Sequence, residues 1–64
     1  MFSLNRFAAL PAEMLLSLVN TQLSDHFPSL EELAAYHDID AAALSAKLSA
    51  AGYHYDAGQN QFKG

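Results

Sequence analysis

Cysteine is absent from the chain, so neither a disulfide framework nor a Cys-ligated zinc site can reinforce it, and the absence fits a reducing cytoplasm, the location expected for it. Positive charge is scarce. Arg6, Lys47 and Lys63 stand against Glu13, Asp25, Glu31, Glu32, Asp38, Asp40 and Asp56, a formal net charge of -4. That balance repels polyanions and anionic membrane surfaces, which makes nucleic acid an unfavourable partner. Long apolar runs are missing too: none approaches the roughly 20 residues needed to span a bilayer. The stretch 7–19 is apolar enough to suggest a secretory leader, but Pro11 and Glu13 interrupt it and only Arg6 precedes it, so it is read as part of the fold. No internal repeat or low-complexity tract is present, although alanine is abundant in residues 41–51.

What remains is a chain of 64 residues, one small domain spanning 1–64. A domain of this size buries only about 60% of its unfolded surface, so its core is marginal and self-association is a simple way to reinforce it.

Helix signals divide the chain. Phe2, Leu4, Phe7 and Leu10 make the start too apolar for a free tail and are expected to pack onto the body. Pro11 suits the first position of a helix and Glu13 its first turn, which predicts a first helix over about 11–26. At 100° per residue, Leu15, Val19 and Leu23 centre an apolar arc widened by Met14, Leu16 and Leu18. The opposite stripe holds Glu13, Ser17, Asn20, Thr21 and Ser24, short hydrogen-bonding side chains where Lys and Glu are usual. It reads either as a solvated face, or one bonded to the N-terminal segment, or as a recognition surface.

Pro28 ends that helix, and Ser29-Leu30-Glu31-Glu32 reads as a capping box opening a second over about 30–37, with Leu30, Leu33, Ala34 and Tyr36 inward. Asp38-Ile39 is a tight link to Asp40, the N-cap of a third helix over about 41–51, with Ile39 and Leu44 spaced as a hydrophobic staple. Leu44, Leu48 and Ala51 are expected inside, and Gly52 as a left-handed C-cap. The period then changes to two: Tyr53 and Tyr55 share a face, and Asp56-Ala57-Gly58 reads as a three-residue hairpin loop with Gly58 left-handed, giving a hairpin over about 53–62. The expected fold is all-α, three helices with a short C-terminal β-hairpin, in the order of a winged helix-turn-helix.

The chemistry of a DNA reader is thin in that frame. The groove-facing positions of the third helix fall near Ala42, Ala43, Ala46 and Lys47, and methyl groups supply no bidentate base contacts while one lysine cannot replace the roughly 6 to 10 phosphate contacts of a specific binder. The winged motif is therefore read as degenerate, with weak nucleic-acid binding as the alternative function. His54 and Asp56 project from one strand face, with His26 and His37 at helix ends, a spacing without the convergence a metal needs; all three histidines are expected at the solvated surface. No cofactor pattern is present. Ser17, Ser24, Ser45 and Ser49 have no evident histidine partner, and adjacent Glu31 and Glu32 diverge on a helix, so enzymatic activity is not expected.

Leu15-Leu16-Ser17, Asn20-Thr21-Gln22-Leu23-Ser24-Asp25, Ser29-Leu30-Glu31-Glu32-Leu33, Gly52-Tyr53-His54-Tyr55-Asp56 and Asn60-Gln61-Phe62 together resemble a family of short bacterial proteins of unknown function. The resemblance covers nearly everything after Leu10 and implies no activity. It places Asn20, Thr21 and Asp25 in the family's defining motif, whereas the positions of Gln22 and Ser24, commonly basic in the family, are uncharged here. The expectation is a protein-interaction or self-associating module, its partner an unidentified protein or a second copy, with Asn20, Thr21 and Asp25 as contact residues and Phe2, Phe7 and Met14 as apolar contributors.

Overall fold

The computed structural model describes the backbone of residues 4–64 and the side chains from Phe7 onward, so Phe2 lies outside the described residues. A 3₁₀ helix, Leu4–Ala9, leads into α1, Ala12–Asp25. Next come α2, Leu30–His37, α3, Ala41–Ala50, and the antiparallel strands β1, His54–Asp56, and β2, Gln61–Lys63. The mostly helical class with a C-terminal hairpin is thus as expected.

Local chemistry sets each boundary. Pro11 takes the N-cap rather than the first helical position (φ -59°, ψ 144°), and its carbonyl accepts from Leu15 N–H at 2.9 Å. Ser29 is extended and its Oγ accepts from Glu32 N–H at 3.2 Å, filling one orphan donor of α2. That helix closes on Asp38 in the left-handed region (φ 57°), and Ile39 N–H reaches back to the Ala34 carbonyl at 3.0 Å. Asp40 caps α3 through Ala42 N–H at 2.9 Å, and Gly52 (φ 94°) turns the chain out of it.

Leu15, Val19 and Leu23 of α1 meet Leu30 and Leu33 of α2, Leu44 and Leu48 of α3 and Phe62 of β2 in one core. Each fully buried leucine contributes roughly 1.5–3 kcal/mol. Phe7, Leu10, Ile39 and Tyr55 pack on its margin, so Phe7 and Leu10 do lie on the body, and the Lys47 ammonium donates to the Ala8 carbonyl at 3.3 Å.

Several inward assignments need correcting. Tyr36 is 65% exposed, and His37 is buried instead, because the row at i, i+3, i+4 and i+7 from Leu30 runs through Leu33, Ala34 and His37. Hence the histidines are not all at the surface: His26 and His54 are exposed, His37 is not. Met14 is 52% exposed and Leu18 only half-buried, so the arc of α1 is narrower than its composition suggests. Ala51 is exposed, since α3 has already ended. The strand register pairs Asp56 with Gln61, leaving a four-residue loop, 57–60, and the left-handed residue is Asn60 (φ 55°), not Gly58. Asp56 does form the turn, its Oδ1 accepting from Gly58 N–H at 3.0 Å.

Candidate functional site

Two members of the polar stripe of α1, Asn20 and Ser24, are bonded to the C-terminal hairpin, whereas Glu13, Ser17 and Thr21 are exposed. Asn20 and Ser24 make the seam against the hairpin. Asn20 Nδ2 donates to the Phe62 carbonyl at 3.1 Å and Asn20 Oδ1 accepts from Phe62 N–H at 2.8 Å. A strand residue has one N–H and one C=O on each edge position, and the carboxamide satisfies both as a neighbouring strand would. Tyr55 and Phe62 stand opposite each other in the register, so the backbone groups of Phe62 that point away from β1 are the ones Asn20 occupies.

Neighbouring amides extend the seam. Gln61 Nε2 donates to the Asn20 carbonyl at 3.1 Å and to Ser24 Oγ at 2.9 Å. Asn60 Nδ2 donates to the carbonyls of Leu23 at 3.1 Å and Phe27 at 2.9 Å, the end of α1 where helical partners run out. Asn60 Oδ1 in turn accepts from the Tyr55 hydroxyl at 2.6 Å, and that hydroxyl accepts from Leu30 N–H, the first residue of α2, at 3.3 Å. Asn60 and Tyr55 therefore tie the hairpin loop to the α1–α2 turn. Asn60 and Gln61 were assigned no such role by sequence; amide side chains in place of β-branched ones at the start of a strand were the available signal.

A second cluster lies beyond the end of α1. The Phe27 and Tyr36 rings are 5.3 Å apart and tilted by 50°, and the His37 ring stands edge-on to Tyr36 at 5.2 Å and to Phe27 at 6.0 Å. His26 lies edge-on to Phe27 at 6.3 Å. His37 Nε2 is 2.6 Å from Gln22 Oε1. An amide oxygen only accepts, so in this pairing Nε2 carries the proton and the bond links α1 to α2. Burial pushes the His37 pKa below its ordinary value of 6.5, since a charged imidazole would lose its water there. Tyr36 remains open to solvent over most of its surface, with Glu32 one helical turn before it, also exposed.

The expected contact residues thus part company. Asn20 is engaged within the fold, and Phe7 is half-buried against the core. Thr21, Asp25 and Met14 are exposed, and at 100° per residue they fall on one outward line of α1 with Leu18. Ser49, expected to lack a histidine, has its Oγ 3.3 Å from His54 Nδ1, with both residues exposed; helix periodicity could not show a contact between a helix end and the strand after it. Among the described residues no three His, Asp or Glu side chains converge to hold a metal ion, and no helix is long and apolar enough to cross a membrane.

The family model for DUF4250, a domain of unknown function, matches residues 11–62, and the chain belongs to that family. No curated protein and no solved structure matches it.

Proposed function

We propose that the chain is a protein-interaction module whose contact surface is the corner formed by Phe27 and Tyr36, continued along α1 by Leu18 and Met14. The observation that carries this reading is Tyr36: a large aromatic ring, 65% exposed, yet braced by two other rings. An aromatic side chain with few rotatable bonds loses little freedom on binding and offers both apolar area and a hydroxyl, the properties of interface anchors. Gln22 and His37 connect the two parts of the surface, because Gln22 follows Leu18 by one turn and its amide reaches the ring beside Tyr36.

Support for a protein over a nucleic acid comes from α3, the helix that would read a groove in a winged helix-turn-helix. Its outer positions are the methyl groups of Ala42, Ala43 and Ala46, and its one lysine donates to the Ala8 carbonyl. The degenerate winged motif is therefore read as architecture without groove chemistry. The module works without catalysis or cofactor in this reading.

The test is capture from an extract of the native cell, comparing the parent with Tyr36→Ala. A protein retained by the parent and lost by the variant supports the proposal, and an unchanged set of retained proteins overturns it. Light scattering at micromolar concentration separates a homotypic contact from a heterologous one. Asn20→Ala is unsuitable as the comparison because it unties the hairpin.

A further inference from the structure

Resting on the interaction reading above, we infer that the Tyr36 corner receives a lysine- or arginine-bearing segment of a partner protein, the cation seated over the Tyr36 ring and paired with the Glu32 carboxylate. The geometry supplies the aromatic part. Tyr36 packs against Phe27 at 5.3 Å, tilted by 50°, and against His37 at 5.2 Å in a T-shaped pair, and is still 65% exposed. A ring so placed offers its electron-rich face to a cation at little ordering cost.

Charge complementarity names the occupant. Glu32 precedes Tyr36 by four residues, so the two share a helix face one turn apart, and both are exposed. Glu31 and Asp38 are exposed at either end of the same helix, and Asp25 is exposed just before the turn that carries Phe27. The basic residue of α2, His37, is buried and donates to Gln22, so no positive charge of that helix faces the solvent. The two lysines engage their own chain, Lys47 through the Ala8 carbonyl and Lys63 through Gln59 Oε1. A second copy of the chain would bring another net charge of -4 and the same carboxylates to this corner. A polyanion meets the same repulsion. A guanidinium satisfies the ring by stacking and the carboxylate by hydrogen bonding at once, which makes arginine the better fit of the two cations.

The experiment uses the full chain and a fluorescein-labelled probe peptide in which arginine alternates with glycine and alanine, titrated by fluorescence anisotropy at moderate salt. A control peptide carries citrulline in place of each arginine. The expected result is saturable binding of the arginine peptide, weakened about five-fold by Tyr36→Ala and retained by Tyr36→Phe. Glu32→Gln weakens it about three-fold, whereas Glu13→Gln, which removes the same charge at the far end of α1, changes it less. Melting curves confirm that each variant is folded. Equal binding by parent and Tyr36→Ala, or equal loss in Glu13→Gln and Glu32→Gln, means unspecific attraction to an acidic protein and overturns the inference. Equal affinity for the citrulline peptide overturns it too. If capture from the extract still depends on Tyr36 in any of these cases, the interaction reading stands and only the cationic partner falls. Concentration-dependent self-association abolished by Tyr36→Ala would assign the corner to a second copy instead.

Discussion

Replacing Asn20 with alanine removes both hydrogen bonds that join α1 to Phe62, a residue 3% exposed, and leaves an N–H and a C=O of β2 facing a methyl group. Each intramolecular bond is worth about 1 kcal/mol net, and a poorly hydrated unpaired backbone group adds to the loss, so the expected cost is about 2–3 kcal/mol. At about 0.05–0.15 kcal/mol per residue, a domain of this length holds on the order of 3–10 kcal/mol in total. The melting temperature should therefore fall by roughly 10–20 °C, from about 4–8 °C per kcal/mol in domains of this size. Differential scanning calorimetry or urea unfolding reads this directly. Thr21→Ala, next in the chain but exposed, is the control and should stay within about 0.5 kcal/mol of the parent. Asn20→Asp sharpens the logic: the carboxylate still accepts from Phe62 N–H but confronts the Phe62 carbonyl without a donor. Its folded-state pKa is raised, so the penalty is full only above that raised value and shrinks as the pH falls through it toward the unfolded value of about 3.9, where protonation restores an O–H donor. A loss for Asn20→Ala below about 0.5 kcal/mol would refute the claim that the carboxamide acts as the missing strand.

Tyr55→Phe deletes the hydroxyl that donates to Asn60 and accepts from Leu30 N–H; the expected loss is about 1–2 kcal/mol, read as a lower urea midpoint. At Asn60, glycine relieves the left-handed backbone while alanine does not. Both variants lose the bonds to Leu23 and Phe27, so Asn60→Ala should be the less stable of the two by about 1 kcal/mol, and equal stabilities would count against strain at that residue. His37 gives a pH dependence. Its folded pKa lies below 6.5, so the unfolded chain takes up the proton first as the pH falls. Stability is full above the unfolded value and declines below about pH 6.5 until the folded pKa is passed. His37→Leu should flatten the urea midpoint between about pH 7.5 and about 5.5; an unchanged slope would assign it to other groups.

What could be read from the chain alone was whatever a window of one helical turn contains. Leu15, Val19 and Leu23 announce a buried face by spacing, and Ser29 and Asp40 announce caps by side-chain chemistry; the structure has all of them in place. Residue type points Tyr36 inward and His37 outward, whereas position decides the reverse, since the row from Leu30 through Leu33 and Ala34 to His37 has the helical period. The hairpin loop was misplaced for a related reason: glycine and asparagine both tolerate the left-handed region, and the choice of Asn60 rests on its side chain reaching two carbonyls across the fold. The short polar stripe on α1 was visible as chemistry but not as geometry. Its counterparts, Phe62 and Gln61, lie about 40 positions away, as Asn20 and Phe62 are separated by 42 residues, and nothing local records which strand returns to which helix face.

The amide seam and the aromatic corner are consequences of one division of α1. A two-stranded hairpin of three-residue strands is not stable by itself, and without cysteine the chain cannot staple it. Side-chain amides supply the third edge, and that commits Asn20 and Ser24 to the hairpin side of the helix. On the other side Gln22 turns to α2 and fixes His37, and His37 with Phe27 braces Tyr36. Closing the fold with polar groups leaves the large ring of Tyr36 outside the core, on a surface it shares with the exposed carboxylates of Glu31, Glu32 and Asp38. The order of dependence runs from the seam to the corner: loosening the hairpin should weaken Tyr36-dependent binding only through unfolding, whereas Tyr36→Ala should weaken binding about five-fold at a smaller cost in melting temperature than Asn20→Ala.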